Sequence, residues 1–157
     1  MIFTWNNFIR DSRLIYKQKP YLFTRKYCEN ISLKYLKKID SDKNNKLLLY
    51  SISNKKYVNN IVGIVYYRII LNTRHKIRIY LPLIGVNINV RGCGYGKIIM
   101  NEIITRFSKK KTLEIVLLSL PSSLHFYKKL GFKKSYSKYI ANNDDIRNNY
   151  MMKLVIE

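Results

Sequence analysis

The eight residues "LEIVLLSL", Leu113 to Leu120, carry one charge and show no polar–apolar alternation. A strand with one wet face alternates, whereas a nearly continuous apolar run of this length is what a strand covered on both faces requires. The run therefore belongs inside a sheet, and the rest of the chain has to supply neighbours and covering helices. With 157 residues the chain is long enough for one compact domain with its own core. Neither a repeat nor a Pro/Gly/Ser-rich linker divides it, so a single domain over residues 1–157 is expected.

The other elements follow from periodicity and turn residues. "YLFTRKY" (21–27) reads as a first strand. Asn30 precedes "ISLKYLKKI", where Leu33, Leu36 and Ile39 keep a helical beat. "KLLLYSIS" (46–53) and "IVGIVYYRIIL" (61–71) read as strands, separated by the turn "NKKYVNN" and followed by the turn "NTRH". Ile99, Ile103 and Phe107, at i, i+4 and i+8 with Met100 and Ile104 beside them, give the apolar face of a helix that ends in the lysines at 109–111. After the apolar run, Pro121 and Ser122 open a helix through "SSLHFYKKL", and Gly131 is placed to stop it in the left-handed region. "FKKSYSKYI" and "YMMKLVI" read as a closing antiparallel pair. The expected order is β-α-β-β-β-α-β-α-β-β.

One segment breaks its own pattern. In "KIRIYLPLIGVNINV" the apolar positions are odd before Pro82 (Ile77, Ile79, Leu81) and even after it (Ile84, Val86, Ile88, Val90). Side chains alternate with period two along a strand, so a one-residue slip flips the face unless an extra residue is absorbed. A bulge near Pro82 and Leu83 would absorb it and splay the strand from a neighbour.

Charge and cysteine usage bound the class. Hydrophobic residues make up 47%, which is a folding composition. Lys and Arg number 30 against 9 Asp and Glu, for a net charge of +21. That excess favours nucleic acid or an acidic partner; the abundance of Lys, Asn, Ile and Tyr is also what an AT-rich coding sequence produces. Cys28 and Cys93 are too few for a disulfide framework and form no metal-ligand pair. The start "MIFTWNNFIRDSR" lacks the apolar core of a signal peptide, and no run approaches the ~20 apolar residues of a membrane helix. An intracellular protein, cytoplasmic or nuclear, with no membrane span and no metal is expected; a homodimer is compatible with it.

The stretch "NVRGCGYGKIIMNEII" places Gly92, Gly94 and Gly96 at every second position between Arg91 and Lys97, at the mouth of the helix. A P-loop needs Gly where Arg91 stands and Ser or Thr where Ile98 stands. A dinucleotide fingerprint needs G-x-G-x-x-G and an acidic residue about 20 positions on, and neither is present. What remains is R-x-x-G-x-G, filled by Arg91, Gly94 and Gly96, between a strand and a helix. Unpaired amides at a helix start, with the positive end of the dipole, suit a pyrophosphate, and glycines let the backbone approach it. The bland reading is a turn that needs positive φ.

A second motif, "SLHFYKKLGF" (123–132), follows about thirty residues on. Together, in this order and spacing, the two resemble the GNAT superfamily of acyl-CoA-dependent N-acyltransferases, whose R/Q-x-x-G-x-G/A lies between the fourth strand and third helix and whose F-Y-x-K-x-G-F comes downstream. "GYGKIIMNEI" is most similar to the histone-type and tRNA-modifying acetyltransferases. The resemblance covers residues 61–157; the first sixty fit by element order only. It implies an α/β (α+β) fold: a mixed, mostly antiparallel sheet of six to seven strands, its fourth strand bulged and splayed, flanked by about four helices.

The resemblance also implies roles. Ile84, Gly85 and Val86 would pair with the pantetheine arm of acetyl-CoA. Backbone amides of Gly92, Cys93, Gly94, Tyr95, Gly96 and Lys97 would cradle the pyrophosphate, with Arg91 beside it and Lys97 adding charge. Phe126 and Tyr127 would line the thioester end, and Tyr127 would protonate the departing thiolate, a role that suits a phenol. There are three departures from the family pattern. Ile88 stands where Pro is frequent, Leu120 where a cofactor-binding Asn is frequent, and no acid lies between Lys76 and Val90, where histone-type enzymes carry a Glu base. His75 is the nearest titratable base, but a lone His at a strand start reads as surface; Glu102 and Glu114 read as structural.

The sequence thus points to an acetyl-CoA-dependent N-acetyltransferase acting on a primary amine, a protein or peptide amine being favoured over a polyamine. The alternative is a catalytically silent module of the same fold that binds nucleic acid through its basic surface.

Overall fold

The structure, a computed structural model, describes residues 2–4, 24–25, 27, 31–52, 61–109, 111–136 and 149–157. Among these residues seven strands form one mixed sheet: β1 (Ile2–Thr4), β2 (Lys46–Ser51), β3 (Ile61–Asn72), β4 (Lys76–Val86), β5 (Thr112–Ser119), β6 (Lys133–Lys134) and β7 (Tyr150–Ile156). Their spatial order is β1-β2-β3-β4-β5-β7-β6. Three α-helices are described: α1 (Leu33–Ser41), α2 (Tyr95–Phe107) and α3 (Leu124–Lys129). The residues fall into two compact units, Met1–Arg68 with Leu83–Ile103, and Ile69–Pro82 with Ile104–Glu157.

In the first unit, β2 pairs antiparallel with both β1 and β3. Ser32 caps α1 by accepting the Tyr35 amide at 3.2 Å, and the helix buries Leu36 and Ile39. These join Tyr27, Leu47, Leu49, Ile61, Ile64, Tyr66 and Leu83 in one core cluster. The Tyr66 hydroxyl, buried within it, donates to Asp40 Oδ1 at 3.1 Å and lies 3.3 Å from Thr24 Oγ1. A buried phenol is thereby satisfied from two elements. On α2, Ile99, Met100 and Ile103 are fully buried, matching the expected apolar face.

The seat of α2 is Gly63 in β3. A Cβ built there would overlap the δ carbon of Ile99 and lie 3.3 Å from the Gly85 carbonyl oxygen. The missing side chain is what lets helix and strand approach.

In the second unit, β4 runs parallel to β5 from Lys76↔Thr112 to Leu81↔Leu117. β7 pairs antiparallel with β5 along seven residues, and β6 adds two pairs outside it. Leu113, Ile115, Val116 and Leu117 are each 2% exposed or less. Successive residues point to opposite faces, so the run is covered on both, as its composition requires. Pro121–Ser123 form a 3-10 turn leading into α3, and Gly131 ends that helix at φ 88°.

Two expectations are corrected. The first strand is β1, not residues 21–27: Thr24 is helical, Arg25 and Tyr27 lie in a turn, and Tyr27 N–H bonds Thr24 O at 2.9 Å. Residues 21–23 and 26, Asn30 and the "NKKYVNN" turn lie outside the described residues. The face of β4 does not flip. Ile77, Ile79, Leu81, Leu83 and Gly85 are all buried, so the odd-numbered side stays inward past Pro82. The apparent even phase arose because Ile88 and Val90 belong to a 3-10 turn (Ile88–Val90), capped by the Asn87 side chain, and not to the strand. Pro82 is accommodated because pairing with β5 ends at Leu81, one residue before the missing N–H.

Gly63→Ala is expected to destabilise the protein by about 1–3 kcal/mol through overpacking against Ile99. Urea denaturation monitored by circular dichroism measures it, and combining the change with Ile99→Val should recover part of the loss.

Candidate active site

The site residues expected from the sequence fall on both units, and each group is described in its own. In the first unit, β4 runs past its last β5 pair as Ile84, Gly85 and Val86; Ile84 and Val86 are half-buried and Gly85 is buried. The 3-10 turn follows, then the glycines, then α2. Gly92 and Gly94 have φ of 83° and 82°, the left-handed region that glycine tolerates best. Nothing lies within 4 Å of a Cβ built on either, so the space above both is open. Gly96 is already inside α2.

The amides of this turn are only partly used. Cys93 N–H reaches Val90 O at 3.4 Å, and Lys97 and Ile98 both bond Gly94 O, at 3.0 and 3.2 Å. The amides of Gly92, Gly94, Tyr95 and Gly96 have no partner among the described residues. Four donors, the positive end of a thirteen-residue helix and two open glycine positions make a surface that fits an anionic diphosphate. The positive-φ reading and the ligand reading of these glycines are thus compatible: the φ values need glycine, and the same glycines leave the space clear.

Arg91 is exposed, yet its guanidinium is engaged. Nε donates to Val86 O at 3.1 Å and Nη2 to Tyr27 O at 3.3 Å. Lys97 and Cys93 are exposed, and the Cys93 thiol is free. Cys28 lies outside the described residues. The phenol of Tyr50 in β2 is pushed up by burial first, then by the negative charge of Glu102 and by Tyr95.

In the second unit, Tyr127 is 9% exposed on α3. Its ring meets Phe126 edge-on at 5.0 Å and Phe132 at 5.5 Å between centroids. Its backbone carbonyl accepts the amides of Leu130 and Phe132, which closes the helix around Gly131. Phe126 is half-buried; Leu120, at the position where the family pattern frequently has a cofactor-binding Asn, is 41% exposed just after β5.

The carboxylates settle differently. Glu114 is 4% exposed, and its register partner across the parallel pair is Arg78. It accepts a hydrogen bond from Arg78 Nη2 at 3.0 Å, and forms ion pairs with Arg78 Nε at 2.9 Å and Lys76 Nζ at 2.7 Å. Burial pushes the carboxyl up, but the hydrogen bonds and charges of Arg78 and Lys76 outweigh it and hold Glu114 below the usual glutamate range. An ionised carboxylate bound to two cations is a structural tie and a poor base. His75 is exposed in the β3–β4 turn, where its carbonyl receives the Thr112 amide. No group of three or more metal-ligating side chains occurs among the described residues, and none of the described helices is long and apolar enough to cross a membrane.

Residues 46–134 match the family model described as an acetyltransferase (GNAT) domain. This span exceeds half of the chain and contains both motifs. The chain belongs to the GNAT acetyltransferase family.

Enzymes of this family take their acetyl group from acetyl-CoA. No curated protein matches the sequence. Among solved structures the GNAT fold recurs at low identity. Tetrahymena GCN5 aligns with a TM-score of 0.67 at 16% identity, covering 94% of this chain and 92% of that one. Arabidopsis thaliana Naa50, in complex with the bisubstrate analogue CoA-Ac-MVNAL, gives 0.56 at 23%, covering 87% and 93%. The ribosomal-protein-S18-alanine N-acetyltransferase of Escherichia coli gives 0.59 at 16%, covering 100% and 95%.

Sequence reading missed the Arg91–Tyr27 and Arg78–Glu114 partnerships. The first spans 64 residues and ends on a backbone carbonyl, so no side-chain signal marks it. The second needs the β4–β5 register.

Because the folded-state pKa of Glu114 is depressed, its stabilisation is present above the unfolded glutamate value and is lost as pH falls through the folded one. Glu114→Gln should cost about 2 kcal/mol at pH 7, less than a fully buried pair because Lys76 and Arg78 stay partly hydrated. Denaturant melts should show the gap between variant and wild type closing below the ordinary glutamate range.

Proposed function

We propose that this GNAT protein transfers the acetyl group of acetyl-CoA to a primary amine of a protein or peptide. The observation that carries the reading is the turn of Gly92–Gly96, with four unpartnered amides at the start of α2 and open space over two positive-φ glycines. In this reading those amides and the Lys97 side chain hold the pyrophosphate, and Ile84, Gly85 and Val86 offer strand backbone to the pantetheine arm.

The amine nitrogen attacks the thioester carbonyl directly. As the carbon–sulfur bond breaks, the Tyr127 hydroxyl supplies the proton that the sulfur takes on, and the phenolate recovers a proton from solvent. Tyr127 is assigned by its place in the "FYKKLGF" motif, and the flanking Phe126 and Phe132 rings hold its orientation. The stretch from Lys76 to Val90, β4 and the 3-10 turn after it, carries no acid. In this reading the attacking amine passes its proton to water, with backbone carbonyls as hydrogen-bond acceptors that orient it.

Two considerations support a protein or peptide acceptor. At +21 the protein repels free polyamines. The Naa50 analogue joins CoA to a peptide, and the Escherichia coli neighbour is named for a protein alanine.

Calorimetric titration with acetyl-CoA should give a Kd on the order of 1–100 μM, about −5.5 to −8 kcal/mol, for the wild type. Gly94→Asp, which sets a negative charge in the cradle, should abolish the heat. Absence of binding to the wild type would sink the reading, and steeply salt-dependent binding to DNA or RNA in its place would favour the nucleic-acid module. Tyr127→Phe should lower kcat by about 100-fold with the KM for acetyl-CoA within twofold, in a thiol-release assay once an acceptor peptide is found.

A further inference from the structure

The glycine turn has open space over Gly92 and Gly94, so something other than packing there has to hold its amides in place. Four hydrogen bonds of the first unit close on themselves around it. Tyr27 Oη donates to Ile61 O at 3.1 Å; the next residue, Val62, accepts the Asn87 amide at 2.9 Å; Val86 O, one residue back, accepts Arg91 Nε at 3.1 Å; and Arg91 Nη2 returns to Tyr27 O at 3.3 Å. The ring joins residue 27, the start of β3, the end of β4 and the residue that opens the glycine turn.

Its chemistry suits a brace. A guanidinium is planar and always charged, and its fork of donors meets two fixed carbonyls at once. Tyr27 is 3% exposed, and burial pushes its phenol far above the usual range, so the hydroxyl stays a donor at every working pH. Both of the Arg91 acceptors are backbone groups, which anchors it to chain path rather than to mobile side chains.

We infer that Arg91 is a positioning residue: it holds the amide cradle of the glycine turn through this closed ring, with residue 27 as the far anchor, and does not act chiefly as a charge on the pyrophosphate. The inference rests on the acetyl-CoA reading above and deepens it. Two of the five guanidinium N–H groups are committed to the ring, and any pyrophosphate contact is left to the outer face. Lysine keeps the charge but has no fork, so the two roles separate cleanly.

The test compares wild type, Arg91→Lys and Arg91→Gln, using acetyl-CoA as the probe across a series of salt concentrations, with amide hydrogen exchange on the ligand-free proteins. A brace predicts that both variants bind acetyl-CoA about tenfold more weakly, by similar factors, with the salt dependence of wild type. It also predicts that the Tyr27 and Asn87 amides exchange at least about fivefold faster in both variants without ligand.

If Arg91→Lys binds like wild type while Arg91→Gln weakens and loses salt dependence, Arg91 acts through charge and the inference falls. It falls equally if exchange at Tyr27 and Asn87 is unchanged, or if exchange rises while affinity does not move. Should the wild type fail to bind acetyl-CoA, the functional reading fails on its own, and the ligand-free exchange data alone decide whether the ring holds the turn.

Discussion

The close approach of α2 to β3 at Gly63 is the constraint on which the rest of the first unit depends. Helix and strand can come together there only because position 63 has no side chain, which gives the Ile99 side chain its seat. Ile99, Met100 and Ile103 lock the helix rotation, since each is fully buried and a turn of even one residue would drive a polar neighbour into the core. Helix rotation in turn decides where the first-turn amides point. The chemistry of the glycine turn is therefore downstream of a packing contact three to seven residues further along the chain.

The second unit is organised by charge placed inside a sheet. Glu114 interrupts an otherwise apolar strand, and two cations of β4 meet it from the same face. Burying a carboxylate alone would cost several kcal/mol, so the strand tolerates it only in register with Arg78. A one-residue slip of β4 against β5 would place Glu114 beside an apolar partner. The pair therefore specifies register where hydrophobic side chains, similar at neighbouring positions, do not.

Legibility in the sequence followed the range of the forces involved. The α2 face, the glycine turn and the stop at Gly131 are set within a few residues by periodicity and φ, and were readable. The doubly covered β5 was readable because its composition admits little else. The three residues of β1 are too short to show any period, and an apolar–aromatic stretch further on took their place in the reading. Ile88 and Val90 kept an alternating spacing while leaving the strand, so β4 looked phase-shifted. Contacts between distant carbonyls and side chains, such as Arg91 with Tyr27, leave no trace in spacing at all.

Among the described residues, the outer edge of the second unit is β6, two residues long, and both are exposed lysines. Lys134 lies 4.4 Å over the Tyr150 ring, and Lys133 stands directly opposite Lys153 of β7. A sheet edge offers unpaired backbone groups that another chain could extend, and nearly half of this sequence is hydrophobic. Here the edge is too short to seed a growing ladder, and a second copy brought alongside would meet like charge. The margin thereby resists fibril-type growth, so concentrated stocks should stay dispersed at low ionic strength and lose that protection as added salt screens the ammonium groups.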